Sequence, residues 1–505
     1  MSSPSAFAAT AIVLTAASGV LAQPAGIADW RVAHERAIVD ELTTLVAIPN
    51  VAGNDADMRR NADHLAGLFT RRGFAVETVG GPGAPVVFAQ LDVPKAVGTL
   101  TFYIHYDGQP VEAAQWTRCQ PFAPCLWSAG GAVPADAARQ RFDPEWRLYG
   151  RSASDDKAPI VALLNAVEAL KATGHTPTWN LRVVLDGEEE AGSANFRRFA
   201  AARKAALAGD LAITLDGPRH ASGRPTVYFG VRGGAGVTIT VYGATNDLHS
   251  GNYGNWAPDP SMALAKLLAS MKDDDGRVAI QDFYRDVRPL TAAERQALAE
   301  APSVEATLAR DFGVGRPERP AERLEVKLNE PTLSILVMES GGGLSVPGRS
   351  AIPATATARL EVRMVKDLVP ETQNGLIAAH VARQGYHVVT GRDPTPDERR
   401  AHAKIARVDP RGRGSAASRV AMDTPWARAV IAALTRDGVP PVRLPTLGGG
   451  LPFGTFSDTY GMPTVGVSIV NFDNNQHGPD ENLRLQNLWE GIEMLASLMT
   501  MPAVR

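Results

Sequence analysis

The stretch TLTFYIHYDG, residues 99–108, joins a run of β-forming residues to a histidine and an aspartate. Its first six residues are β-branched, aromatic or aliphatic, which is typical of a buried strand. His105 and Asp107 follow where that strand ends. Ligands of open parallel sheets bind at the carboxyl ends of the strands. The stretch therefore predicts an α/β fold with a ligand site at His105.

Other short apolar runs also stop at polar residues that could share this site. They are residues 179–185, before Glu189 and Glu190, residues 211–215, before Asp216, and residues 464–470, before His477. Asp155 lies in a loop just before a helical pattern that Gly174 ends. Because the carboxyl ends of parallel strands share one edge of a sheet, we expect these side chains to meet.

The order of these elements predicts how the chain is divided. Its 505 residues allow two or three domains at about 150 residues each. The first and last thirds alternate strands and helices, whereas the middle has strands, helices and a charged stretch in another order. We expect an α/β domain with a central, mostly parallel sheet, interrupted by an inserted α+β domain. The expected limits are a signal peptide at 1–22, the two parts of the α/β domain at 23–230 and 413–505, and the insertion at 231–412.

Composition excludes some partners and predicts a location. Lys and Arg number 51 against 54 Asp and Glu, so no broad basic field exists to attract nucleic acid. The apolar run 8–22 ends in Val-Leu-Ala and predicts a cleaved signal peptide, hence a secreted or periplasmic protein with no membrane contact once mature. Cys119 and Cys125 are then either a local disulfide or two ordinary thiols.

The candidate site residues suit a metal centre. Several carboxylates cannot share one crevice as free anions, because their repulsion raises their pKa values. Imidazole and carboxylate ligands without thiolate fit zinc, with manganese or cobalt as alternatives. Each residue alone has an ordinary role as a helix cap or surface turn, so the prediction depends on their joint placement.

Six motifs in order carry a resemblance to a known family. They are His105-x-Asp107, Gly150-Arg-x-x-x-Asp155-Asp156-Lys157, Glu189-Glu190-x-Gly192-Ser193, Asp216, Asp247-Leu-His249-Ser-Gly251 and His477-Gly-Pro-Asp-Glu481. This series resembles the dinuclear-zinc aminoacyl peptidases, which include carnosinases and other dipeptidases, glutamate carboxypeptidase and aminoacylase. The resemblance runs from about residue 98 to residue 498.

The resemblance implies two zinc ions per chain and a role for each motif. One ion would be held by His105, Asp155 and Asp216, and the other by Asp155, Glu190 and His477. A hydroxide bridging the two metals would attack the amide carbonyl, with Glu189 as general base. Asp107 would orient a ligand imidazole.

The same resemblance assigns residues to the substrate and to a partner subunit. The inserted domain would act as a lid and pair two chains in a homodimer, so that His249 stabilises the oxyanion across the interface. Arg363 would bind a substrate carboxylate. Gly448, Gly449 and Gly450 would form a glycine loop that contacts the substrate.

The leading prediction is a zinc-dependent exopeptidase that cleaves an amide bond of a small peptide, as a dipeptidase or carboxypeptidase. An N-acyl amino acid deacylase needs the same metal centre and differs only in its substrate pocket. A catalytically silent binding protein is disfavoured because Glu189 and all five ligand residues are present. A serine hydrolase is unsupported, since the sequence has no Gly-x-Ser-x-Gly elbow.

Overall fold

The computed structural model describes residues 23–134, 141–341 and 350–504. The signal peptide predicted at 1–22 lies outside these residues. Among the residues that are described, no helix has both the length and the apolar character needed to cross a membrane.

The helices are spread along the whole described chain. In chain order they are α1 (Ile27–Val46), α2 (Asp55–Arg71), α3 (Lys157–Ala172), α4 (Ala194–Ala202), α5 (Lys204–Leu207), α6 (Ser250–Tyr253), α7 (Pro260–Ala269), α8 (Ala292–Glu300), α9 (Glu305–Asp311), α10 (Leu324–Lys327), α11 (Pro370–Arg383), α12 (Pro396–Ala401), α13 (Pro425–Leu434) and α14 (Leu485–Met499).

The strands alternate with these helices and form several separate sheets. In chain order they are β1 (Ala75–Val79), β2 (Val86–Leu91), β3 (Thr99–His105), β4 (Cys125–Ser128), β5 (Gly131–Ala132), β6 (Arg147–Tyr149), β7 (Asn180–Asp186), β8 (Leu211–Thr214), β9 (Thr226–Tyr228), β10 (Gly230–Val231), β11 (Gly233–Tyr242), β12 (Leu248–His249), β13 (Thr332–Ser340), β14 (Ala351–Ile352), β15 (Thr355–Met364), β16 (His387–Val389), β17 (Ile405–Pro410), β18 (Ser418–Arg419), β19 (Val442–Leu444), β20 (Thr464–Ser468) and β21 (Asn482–Arg484).

The central sheet has eight strands in the order β1-β2-β7-β3-β8-β20-β9-β19. Its four middle strands, β7, β3, β8 and β20, run parallel to one another. The antiparallel pairs lie on either side of them. The predicted α/β fold with a mostly parallel central sheet is therefore confirmed.

Both faces of the central sheet are covered, as alternating side chains on a buried strand require. On β3, Phe102 and Ile104 join a large core formed with α1, α2, α3, α13 and α14. Tyr103 points to the opposite face and packs against Phe196 and Phe456. Strand β3 is thus buried on both sides.

The chain between β10 and β18 forms a second sheet with its own core. Its strand order is β13-β15-β11-β17-β16, and all pairs are antiparallel except β16 with β17. Helices α7 and α11 cover one face through side chains such as Leu267 and Ile377. This arrangement agrees with an inserted α+β unit, and the exact limits 231 and 412 stay a proposal.

The four parallel strands are those whose ends were predicted to carry the site. β3 ends at His105, β7 leads into the turn with Glu189, and β8 precedes Asp216. The loop after β20 reaches His477 and returns through β21, which pairs with β6 in a small four-stranded sheet. Strand β4 of that sheet begins at a cysteine that is bridged to the one at position 119. The disulfide is one of the two states that the sequence left open.

Candidate metal centre

Two groups of potential metal ligands lie at the carboxyl edge of the central sheet. The first consists of His105, Asp155 and Asp216, and the second of Asp155, Glu190 and His477. Within each group, one ligand atom per residue lies within 4.8 Å of the others. Asp155 belongs to both groups. The structure thus brings together all five residues predicted to bind metal.

Asp155 lies between the two histidines. Its Oδ1 is 2.9 Å from Nε2 of His105, and its Oδ2 is 3.2 Å from Nε2 of His477. Gln476 also donates a hydrogen bond to Oδ2, at 3.1 Å. Each carboxylate oxygen therefore faces a different ligand group, which is the geometry that a bridging ligand needs.

Asp107 is fully buried and organises the residues on either side of it. One of its carboxylate oxygens lies 3.3 Å from Nδ1 of His105. Its two oxygens accept hydrogen bonds from the backbone N–H groups of Glu189 and Glu190, each at 3.0 Å. Asp107 thus positions both the histidine and the acidic turn that follows β7.

Glu481 anchors the Asp155 loop from the C-terminal side of the chain. Its buried carboxylate accepts hydrogen bonds from the backbone N–H groups of Ser152, Ser154 and Asp155 at 2.9–3.1 Å. Arg151 donates to it at 2.6 Å as a buried ion pair. The same arginine donates to the carbonyl oxygen of residue 478, next to His477, at 3.1 Å. One carboxylate therefore ties together the two loops that carry Asp155 and His477.

The electrostatics of the site show how crowded its acidic groups are. Burial raises the pKa of Asp216 to about 7, and the charge of Asp155 adds to this effect. Burial also raises the pKa of Glu189 well above its usual range, although the nearby His105 opposes the rise. Burial would raise the pKa of Asp155 as well, but hydrogen bonds from the two histidines hold it below the usual range.

The histidines show the complementary effect. Hydrogen bonds with Asp155 and a neighbouring glutamate raise the pKa of His477 to about 10. Burial lowers the pKa of His105, but its bonds to Asp107 and Asp155 outweigh this and raise it. The carboxylates thus draw positive charge towards the site. Divalent cations supply that charge and leave both imidazoles neutral, which is the form that binds metal. The residues present therefore fit two metal ions.

A cleft of about 540 Å³ opens beside these groups. Its lining includes Glu189 and residues from the predicted substrate-binding set, Arg363, Gly449 and Gly450. His249 is not part of this lining, because it lies exposed on β12 in the inserted unit. Within one chain, the structure therefore brings together all the predicted site residues except His249.

The sequence matches the model of Peptidase family M20/M25/M40 over residues 101–501. The chain belongs to this family. The predicted resemblance is thereby confirmed, and the chain is a metallopeptidase.

Relatives of known activity agree with the family assignment. Cys-Gly metallodipeptidase dug1 of Schizosaccharomyces pombe is 27% identical over 372 residues, which are 68% of this chain and 72% of that protein. Beta-Ala-His dipeptidase of Homo sapiens is 25% identical over 430 residues, 82% of this chain and 77% of that protein. The solved structure of the di-peptidase Dug1p from Saccharomyces cerevisiae shares the fold with a TM-score of 0.75, at 21% identity over 94% of this chain and 97% of that one.

These relatives correct one prediction. The expectation of a secreted or periplasmic protein is contradicted by the comparison with the Dug1 enzymes, and the run at 8–22 on which it was based lies outside the described residues. The apolar N-terminal run that suggested export carries no Lys or Arg before it, unlike a typical signal peptide.

Several residues of the site were not assigned a role from the sequence. Gln109 donates to Glu190 at 2.8 Å, and Gln476 donates to Asp155. Glu481 ends the motif that begins at His477, yet its bonds join segments more than 320 residues apart in sequence. The only available signal was its position four residues after His477.

We expect Glu481→Gln to destabilise the protein strongly. The amide would present N–H groups to backbone donors and would leave the buried Arg151 without a counter-charge. Breaking a buried ion pair in this way lowers the free energy of unfolding by about 3–5 kcal/mol. Urea unfolding measures the change. Glu145→Gln is the control, since Glu145 is 67% exposed and 3.7 Å from Arg484, and exposed pairs contribute at most about 1 kcal/mol. Equal unfolding midpoints for the two variants would contradict this role.

Proposed function

We propose that this M20 metallopeptidase is a dipeptidase that hydrolyses the amide bond of small peptides with two zinc ions. The observation that carries the proposal is the pair of ligand groups that share Asp155 beside the cleft. The activities named for the two enzymes compared above, on Cys-Gly and on β-Ala-His, support dipeptides as the substrate class.

The donor set supports zinc among the divalent metals. His105, Asp155 and Asp216 would hold one ion, and Asp155, Glu190 and His477 the other. Three carboxylates against two divalent cations leave one positive charge for an anionic ligand. Manganese or cobalt would accept the same ligands and remain alternatives. When bound, the metals would polarise a carbonyl and lower the pKa of a water molecule.

Glu189 is the residue that we assign to proton transfer. It lines the cleft, belongs to neither ligand group and has a raised pKa because it is buried. A carboxylate in this setting accepts a proton from the attacking water and returns it to the leaving amine. Asp107 fixes the backbone of Glu189 and so keeps this carboxylate in place.

Arg363 and the glycine loop are assigned to substrate recognition. Arg363 reaches the cleft from β15 of the inserted unit, where its guanidinium suits the carboxylate of a peptide. Gly449 and Gly450 line the same cleft from the α/β domain. A substrate between them would contact both units of the chain at once.

The proposal includes a homodimer through the inserted unit. Strand β13 is an edge strand, and four consecutive apolar side chains on it, Ile335 to Met338, are 39–52% exposed. An exposed apolar edge of this kind favours pairing with another chain. His249 is exposed on the same unit and lies outside its own cleft, which suits a residue that serves a partner's site.

The alternative function is deacylation of N-acyl amino acids, which needs the same metal centre. A dipeptide presents a free α-amine next to the scissile bond, whereas an N-acetyl amino acid does not. We expect the metal-loaded enzyme to hydrolyse Ala-Ala and to leave N-acetylalanine intact. Efficient cleavage of N-acetylalanine alone would favour the deacylase.

We expect Glu189→Gln to retain both metals and to lose at least about 100-fold in turnover, the effect of removing a general base. Metal analysis and kcat for Ala-Ala are measured on the same preparation, so that loss of metal is separated from loss of the base. Normal turnover by the metal-loaded variant would show that Glu189 is not the base.

Two inactive variants are expected to complement each other if His249 acts in a partner subunit. In a heterodimer of His249→Ala and Glu189→Gln chains, one of the two sites keeps both residues. His249→Ala alone should be nearly inactive, since one oxyanion donor contributes about 2.7–4 kcal/mol to catalysis. After subunit exchange, the heterodimers should regain up to about half of the native activity, because one of their two sites is intact. Heterodimers that form and stay inactive would place His249 outside the partner's site.

A further inference from the structure

A second cavity of about 430 Å³ adjoins the catalytic cleft. We call it the basic side pocket, because four of its lining residues are cationic and one is acidic; the cations are Arg232, Lys272, Arg319 and Arg363. Arg363 and Gly448 line both the cleft and this pocket. They therefore mark the passage between the two spaces, and Gly448 places no side chain across it.

Two of the four cations are neutralised by close acidic partners. The Lys272 ammonium lies 2.9 and 3.0 Å from the carboxylate oxygens of Glu318. Arg319 lies 2.6 Å from Glu330 and 3.0 Å from Glu322. Of the other two cations, Arg363 forms a longer pair with Glu361, at 3.3 Å.

Arg232 is a buried guanidinium whose hydrogen-bond partners in the described chain are all neutral. The residue is 6% exposed. Its Nε and Nη2 atoms donate to the carbonyl oxygens of Leu328, Lys327 and Glu330 at 2.6–3.1 Å. In the described chain, no carboxylate forms an ion pair with Arg232, and its Nη1 donates no hydrogen bond. Burial, and then the charge of Arg363, lower the pKa of Arg232 to about 10.

An uncompensated buried charge is costly, and a second guanidinium beside it adds repulsion. The pair between Arg363 and Glu361 uses only Nε of the arginine. An anion held between Arg232 and Arg363 would relieve both effects. The pocket volume and its continuity with the cleft allow that anion to be part of the substrate.

We propose that the basic side pocket binds the side-chain carboxylate of a substrate's C-terminal residue, so that the enzyme prefers dipeptides ending in Glu or Asp. This inference rests on the proposed dipeptidase function. The α-carboxylate binds Arg363 at the mouth, and the side chain of the same residue passes Gly448 towards Arg232. Two carboxylates on one residue then match two guanidinium groups.

Arg232 also has a structural role that a test must separate from recognition. Its backbone N–H donates to the carbonyl oxygen of Gly449 at 2.9 Å, and its side chain ties the glycine loop to the end of α10. Loss of this tie would lower the rates for all dipeptides together. Loss of an anion subsite lowers the rate for acidic ones selectively.

The experiment compares kcat/KM for Ala-Glu and Ala-Gln, which have nearly the same shape and differ in charge. We expect the wild-type enzyme to favour Ala-Glu over Ala-Gln in kcat/KM by at least about tenfold. This is the effect of one hydrogen bond to a charged group. Arg232→Met should bring the ratio close to one, and Arg232→Lys should restore part of it. Arg285→Gln is the matched control, because this exposed arginine pairs with Asp286 and does not line the pocket.

A second variant covers the case in which Arg232→Met does not fold. Ser334→Asp adds a carboxylate to the pocket lining without touching Arg232, and it should lower the ratio. A wild-type ratio near one, with Ala-Gln hydrolysed well, would overturn the side pocket and leave the dipeptidase standing. A ratio that survives both Arg232→Met and Ser334→Asp would also overturn it. Failure of the metal-loaded enzyme to cleave any dipeptide would instead overturn the proposed function.

Discussion

The structure depends on one electrostatic constraint, the crowding of buried carboxylates at the carboxyl edge of the central sheet. Asp155 and Asp216 lie beside the imidazole of His105, and Glu189 and Glu190 lie in the turn that follows β7. Burial, and then repulsion from neighbouring carboxylates, raises the pKa values of Asp216 and Glu189, so these groups cannot all be ionised unless cations lie among them. The parallel strands deliver the ligands to this edge, and Asp107 and Glu481 hold the loops against the repulsion.

The local part of this arrangement could be predicted from the sequence. His105 and Asp216 each follow a short apolar strand, and the rule that parallel strands end at one edge brings them together. The motif series then predicted the remaining ligands and the family. Strands β3 and β8 were predicted within one residue of their observed ends, because their apolar and β-branched patterns are unambiguous.

The non-local part could not be predicted. Helices α1 and α2 were not predicted, although they contribute to the core on one face of the sheet. The bonds of Glu481 and the pairing of Arg232 with three carbonyl groups join distant segments, and no pattern within either segment encodes them. The apolar N-terminus misled the prediction of location, since a short hydrophobic run has no single meaning on its own. A polar residue's role is therefore predictable only where its partners are near in sequence or set by strand order.

We propose that two metal ions share Asp155, and the metal content of the protein decides whether they do. The purified, metal-loaded protein is analysed for bound zinc beside Asp155→Ala, with circular dichroism to confirm that the variant is folded. We predict two equivalents in the wild-type chain, one for each ligand group, and depletion of both sites in the variant. A folded Asp155→Ala protein that retains one fully occupied site would contradict the shared ligand.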